Sequence, residues 1–118
     1  MPVFNINYDE KQVDDKLLTQ FCSYILDEGV KTYGNPREEM SLFTYPYGKN
    51  AFSSCGIELY ILASRNLHAS YGRDPNEQRS MWAQEMKEKI IKFRQENNIM
   101  FSILVTSAIE DWLFEFIE

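Results

Sequence analysis

The chain is poor in the residues that disulfide and metal chemistry require. Its 118 residues include two cysteines, Cys22 and Cys55, and one histidine, His68. Two thiols allow one bridge at most, and a core of this size does not need it, so a reducing compartment is expected. One His with two distant Cys cannot build a zinc site without carboxylate help, and no metal is expected. Cations are also in deficit: 12 Lys and Arg stand against 18 Asp and Glu, a formal net charge of −6. Nucleic-acid binding, which neutralises phosphates with clustered Lys and Arg, is excluded on that balance. No apolar run approaches the length of a membrane span. The opening MPVFNINYDE lacks a basic stretch leading into an apolar one, so no secretory leader is expected and the cytoplasm is the expected location. There is no Gly-rich phosphate loop and no Ser/His/Asp arrangement, and no cofactor is expected.

Apolar residues, by contrast, make up 44% of the chain and aromatics 14%. That argues against disorder and for one packed domain over residues 1–118. Val3 to Tyr8 alternates apolar and polar residues as a strand does. Asp9 and Gln12 read as the cap of a first helix, whose apolar face is Val13, Leu17, Leu18, Phe21, Cys22 and Ile25. Gly29 offers its C-cap, and Gly34-Asn35-Pro36 closes the connection. Leu42 to Tyr47 is a second strand, with Pro46 placing its end at an edge or bulge. Ile57 to Ala63 is the strongest strand, apolar almost throughout, as one buried on both faces is. Asn66 to Gly72 is a loop. Asp74-Pro75-Asn76-Glu77 combines an N-cap Asp, Pro at the first helical position and a closing Glu. The second helix turns Met81, Trp82, Met86, Ile90, Ile91 and Phe93 to one side and stops at Asn97-Asn98. Met100 to Val105 is a last strand, and Ile109 to Ile117 a short strand or helix.

The order is β-α-β twice, and helix positions 13, 17, 21 and 22 answer to 82, 86, 90 and 91. A weak internal repeat follows, each half with parallel strands joined by a helical crossover. The expected architecture is α+β: two β-α-β halves forming one four-stranded mixed sheet, with both helices on one face. The other face is expected to be apolar and uncovered, and oligomerisation is its natural remedy.

Two features bear on chemistry. If the initiator Met is removed, Pro2 becomes a secondary amine at the head of a strand. An amine packed among apolar groups or beside cations loses proton affinity and can serve as a base near neutral pH; with Met1 attached its nitrogen is an amide without basicity. The second feature is Gly72-Arg73-Asp74-Pro75-Asn76-Glu77-Gln78-Arg79 at the start of the second helix. A Met-Pro-hydrophobic-aromatic start, two β-α-β halves and this stretch together resemble the tautomerase superfamily over nearly the whole chain. The resemblance implies a homotrimer and a cofactor-free enzyme that moves a proton between carbon and oxygen of a small keto or enol acid. Carried over, Pro2 matches the proline base, and Arg73 the arginine of the Gly-Arg motif. Arg65 stands where some members place another arginine. Arginine suits the task as a fixed, bidentate carboxylate clamp. Tyr45 and Trp112 are the aromatics expected to line the pocket, although most aromatics at strand spacing are simply core. Ser41-Leu42-Phe43 stands where some members carry an arginine. Same-fold decarboxylation or hydration of an unsaturated acid stays open as an alternative chemistry, as does a non-enzymatic trimer whose proline is blocked by Met1. His68 is most often a solvated loop residue, and Cys55 has no obvious His partner.

Overall fold

A computed structural model describes residues 2–64 and 75–110. Its elements are β1 (Val3–Tyr8), α1 (Asp15–Tyr33), a short 3-10 turn (Arg37–Glu39), β2 (Ser41–Pro46), β3 (Ile57–Ser64), α2 (Pro75–Glu96) and β4 (Ile103–Glu110). The four strands form one mixed sheet in the order β2-β1-β3-β4. β1 runs parallel to β2, and β3 parallel to β4, while β1 and β3 join the halves antiparallel. This is the α+β arrangement expected from the two-fold β-α-β order. Among the described residues, no helix is long and apolar enough to cross a membrane. The expected Asn66–Gly72 loop, the Asp74 cap and the segment 111–118 lie outside the described residues.

Several boundaries differ from those the sequence suggests. α1 begins at Asp15, not behind Asp9. Asp14 is the N-cap, its carboxylate accepting from Leu17 N–H at 2.8 Å. Asp9 instead closes a turn, accepting from the Lys11 amide at 3.0 Å and from Gln12 Nε2 at 2.9 Å. Two capping aspartates five residues apart compete, and the second holds the helix. α1 ends at Gly34, whose φ of 75° is left-handed and whose N–H reaches Val30 O at 3.0 Å. Gly29, read as that cap, lies inside the helix and faces the core: a Cβ there would stand 3.0 Å from Phe4 Cζ. Glycine in a helix costs about 1 kcal/mol relative to alanine, and here it lets α1 approach the sheet. α2 does start at Pro75 and stops where expected, with Asn98 at a φ of 52°. β4 starts three residues later than expected and runs on to Glu110.

The core lies between the sheet and the two helices. Phe4 and Ile6 of β1 and Ile57, Leu59, Ile61 and Ala63 of β3 face Phe21 and Ile25 of α1 and Trp82, Met86, Ile90 and Phe93 of α2. Met81 and Ile91, expected on the inward face of α2, are 40% and 44% exposed, because the helix buries only the narrow stripe 78, 82, 86, 90, 93. β3 is not buried on both faces in the single chain: Glu58 and Leu62 are half-buried and Tyr60 exposed. Nor is the open face uniformly apolar. Register places Val3, Asn5, Asn7, Phe43, Tyr45, Glu58, Tyr60, Leu62, Leu104, Thr106 and Ala108 there, with amides and a carboxylate among the rings.

Aromatic contacts and one polar bridge join the helices. Phe21 and Tyr24 of α1 pack on Phe93 of α2 at 5.3 and 4.9 Å between ring centres. Lys89 Nζ donates to Thr32 Oγ1 at 2.6 Å and meets Glu28 Oε2 at 3.3 Å, while Tyr24 O–H donates to Lys89 O at 2.7 Å. Nearer the start of β1, Tyr33 stands edge-on to both Phe4 and Trp82, at 6.1 and 4.9 Å. Burial pushes the Tyr33 hydroxyl above its ordinary value of 10; a side-chain hydrogen bond with Ser107 opposes this, and Glu85 adds to it.

Three stability outcomes follow from this packing. Phe21 is fully buried, so Phe21→Ala should cost about 3–5 kcal/mol in urea unfolding. Gly34→Ala, forced into a left-handed conformation, should cost about 1–2 kcal/mol. The folded protein holds the Tyr33 proton more tightly than the unfolded chain does. That contribution is whole below pH 10 and is lost as pH rises through the raised folded value. Urea midpoints should therefore fall more steeply above pH 10 in the wild type than in Tyr33→Phe. Parallel pH profiles would show that Tyr33 does not carry the alkaline loss.

Candidate active site

Pro2 lies at the head of β1, one of the two inner strands. Its carbonyl accepts from Ser41 N–H at 3.3 Å, which ties it to the start of β2, and its ring is fully buried. The pairing of Val3 with Ser41 and with Leu62 places Met40 on one side of Pro2 and Ala63 on the other. Both neighbours are apolar, and Ala63 is only 1% exposed. Side chains alternate along a strand, so Pro2 shares the helix-facing side with Phe4 and Ile6.

The topology brings four chain ends to this edge. β3 finishes here, its Ser64 paired with Glu110 at the end of β4. α1 runs back from the far end of β1 and finishes at Tyr33; α2 leaves from Pro75 after β3. Thus the head of β1, the C-terminus of α1, the N-terminus of α2 and the outgoing end of β3 share one end of the sheet. In sequence, Arg65 follows Ser64 directly and Arg73 precedes Pro75 by two residues. Arg65, Arg73, Trp112 and His68 themselves lie outside the described residues.

Tyr45 is placed elsewhere. It is on β2, half-exposed on the open face, opposite Asn7. That pair is four steps beyond Val3–Ser41, about 13 Å along the strand. Within one chain, Tyr45 and Pro2 are not brought together. Cys55 also lies at the far end, half-buried. Its amide donates to Ser53 Oγ at 3.1 Å and its carbonyl accepts from Tyr47 O–H at 2.8 Å. A cleft of about 400 Å³ at that end is lined by Asp9, Glu10, Lys11, Tyr47, Lys49 and Phe52, where two acids face two lysines.

Two further buried residues, Tyr33 and Gln78, belong to the elements that end or begin at this end of the sheet, and no motif in the sequence marks them. Tyr33 ends α1 four residues after the inward-facing Gly29. Gln78, in the first turn of α2, is only 4% exposed. Its position was legible in one respect: it stands four residues before Trp82 and so begins the inward stripe of α2 as its polar member.

No protein-family model matches the chain, and no curated protein matches it in sequence. Solved structures do match over nearly its whole length. A member of the cis-3-chloroacrylic acid dehalogenase family superposes with a TM-score of 0.65 at 9% identity, over 92% of this chain and 75% of the other. Malonate semialdehyde decarboxylase gives 0.60 at 12%, over 97% and 91%. 5-Carboxymethyl-2-hydroxymuconate delta-isomerase gives 0.53 at 14%, over 100% and 87%. These neighbours are tautomerase-superfamily enzymes, and their sheet and helix arrangement is the one described above. The chain has the fold of the tautomerase superfamily.

Proposed function

We propose that the protein is a cofactor-free keto–enol tautomerase or isomerase of a small carboxylic acid, working as a homotrimer in the cytoplasm with Pro2 as its base. The observation that carries this reading is the position of Pro2, buried at the head of an inner strand. It sits at the sheet end from which the chain departs into Arg65 and returns from Arg73.

Loss of Met1 converts the Pro2 nitrogen from an amide to a secondary amine. Apolar neighbours such as Met40 and Ala63 disfavour its charged form and lower its proton affinity toward neutrality. The amine removes the hydroxyl proton of an enol acid, and the resulting ammonium returns a proton to the adjacent carbon; the net change is one proton moved from oxygen to carbon. Arg73 and Arg65 hold the carboxylate and stabilise negative charge as it develops on the substrate oxygen. Trp112 contributes an apolar wall. Tyr45, on the open face, serves a pocket only across a subunit boundary, the arrangement that the tautomerase resemblance implies.

A second chemistry is favoured by one neighbour, malonate semialdehyde decarboxylase, whose structure is described as a basis for decarboxylase and hydratase activities. On the same site, that reading needs an additional acidic residue beside the proline.

Intact mass should show that Met1 is absent; a chain that retains it and acts only by binding a partner has no proline base. Ketonisation of phenylpyruvate or 2-hydroxymuconate, followed in the ultraviolet, should slow at least 100-fold in Pro2→Ala. Arg73→Ala should raise KM more than it lowers kcat. The rate should fall on the acid side as the amine becomes protonated. Wild-type rates no faster than Pro2→Ala would sink the catalytic reading, and activity on malonate semialdehyde alone would move it to decarboxylation. Light scattering should give three times the chain mass.

A further inference from the structure

Gln78 presents an acceptor for which the described residues supply no donor. Its side chain is 4% exposed, and Oε1 is buried without a hydrogen-bond partner. A buried amide carbonyl left in that state costs about 1–3 kcal/mol, so most such groups in folded proteins are satisfied. The chemical complement it lacks is an N–H or O–H group.

The topology indicates which group that is. β3 is antiparallel to β1, and β4 is parallel to β3. α2, which joins the end of β3 to the start of β4, therefore runs in the direction of β1. Trp82 of α2 meets Tyr33, and Tyr33 meets Phe4 of β1. One helical turn back from Trp82, about 6 Å, stands Gln78. One same-face step back from Phe4, about 6.6 Å, stands Pro2. Gln78 and Pro2 therefore fall at the same level along β1, one step toward its head from the Phe4–Tyr33–Trp82 contact. While Met1 is attached, the Pro2 nitrogen carries no hydrogen. Its removal creates an ammonium with two N–H donors at the level of the unsatisfied carbonyl.

We infer that Gln78 is the positioning residue of the N-terminal amine, its Oε1 accepting a hydrogen bond from protonated Pro2. The inference rests on the reading of Pro2 as a free amine. Its consequence is a counterweight: apolar burial drives the amine's proton affinity down, and an acceptor for the charged form holds it up. Among the described residues, the titratable and charged groups on the surrounding elements are Asp27, Glu28, Lys31 and Tyr33 on α1, Glu77 and Glu85 on α2, Arg37 and Glu39 before β2, and Glu110 at the end of β4; β3 contributes the apolar Ala63. Gln78 is neutral, so it acts on the amine through the hydrogen bond alone and fixes the direction of the nitrogen as well.

The test is a titration of the Pro2 amine by nitrogen-15 NMR in proline-labelled protein, after intact mass has established loss of Met1. Gln78→Leu should lower the amine's apparent pKa by about one unit, a tenfold change in proton affinity, and Gln78→Glu should raise it. The acid limb of the ketonisation rate should move in the same two directions. An unmoved titration in both variants, with circular dichroism and melting as in wild type, overturns the inference and leaves the proline base standing. Activity that survives Pro2→Ala while the titration shifts overturns the proline base and leaves the hydrogen bond standing. Retention of Met1 overturns both.

Discussion

The packing of Tyr33 between Phe4 and Trp82 is the contact on which the rest of the molecule depends. It joins an inner strand, the last turn of α1 and the first turns of α2, three elements far apart in sequence. Edge-to-face pairs of this kind add about 0.5–1.5 kcal/mol each beyond the area they bury. More important is what the contact fixes. Phe4 can rise to meet Tyr33 because Gly29 leaves room above the ring. With α1 drawn close, the head of β1 is closed on its helix side, and the Pro2 ring has no exposure left. The depth at which a terminal amine would sit is thus decided by a glycine 27 positions away.

Much of this was legible in the sequence because the strong signals were redundant. β1 carries alternation and β3 a continuous apolar run with β-branched residues; Pro75 marks a helix start and Asn97-Asn98 a stop. The two-fold β-α-β order then leaves few ways to pair four strands. The failures occurred where one residue type supports two structures. Asp9 and Asp14 are both good caps, and only packing decides that Val13 enters the core ahead of the helix. Gly29 and Gly34 are both plausible terminators; the first is required by proximity to Phe4 and the second by a left-handed backbone. Met81 and Ile91 read as core because apolar side chains usually are, yet α2 buries a stripe too narrow to include them.

The site was legible in part, and unevenly. Pro2 stood out by position, and the structure puts it at a meeting of four chain ends. Tyr45 reads as a pocket residue only by its ring; residue type says nothing about strand parity or register, and those two place it on the open face beside Asn7. Gln78 is the opposite case. A polar residue in a helix's first turn reads as solvated unless its spacing to Trp82, Met86 and Ile90 is weighed more heavily than its polarity. A polar member of an otherwise apolar stripe is the pattern to look for.

Charge places the remaining constraint on any anionic substrate. At −6 the whole protein repels an acid, so attraction must be local. Near the head of β1 the described cations are already engaged: Arg37 meets Asp27 at 2.9 Å and Lys31 meets Glu28 at 3.4 Å. The Arg37–Asp27 pair is exposed on both sides and contributes little to stability, while Glu28 is largely buried between Lys31 and Lys89; both pairs remove net positive charge from that end. At the far cleft, Lys11 and Lys49 are set against Asp9 and Glu10. On the proposed reading, the anion at Pro2 is the task assigned to Arg65 and Arg73, which the sequence carries at the two ends of the segment between β3 and α2. The same reasoning favours a neutral amide over an acid at Gln78, which is buried in the first turn of α2. On the proposed reading, a carboxylate at position 78 would offer the amine an acceptor too, but it would also add negative charge at the end of the sheet where an acid is to bind.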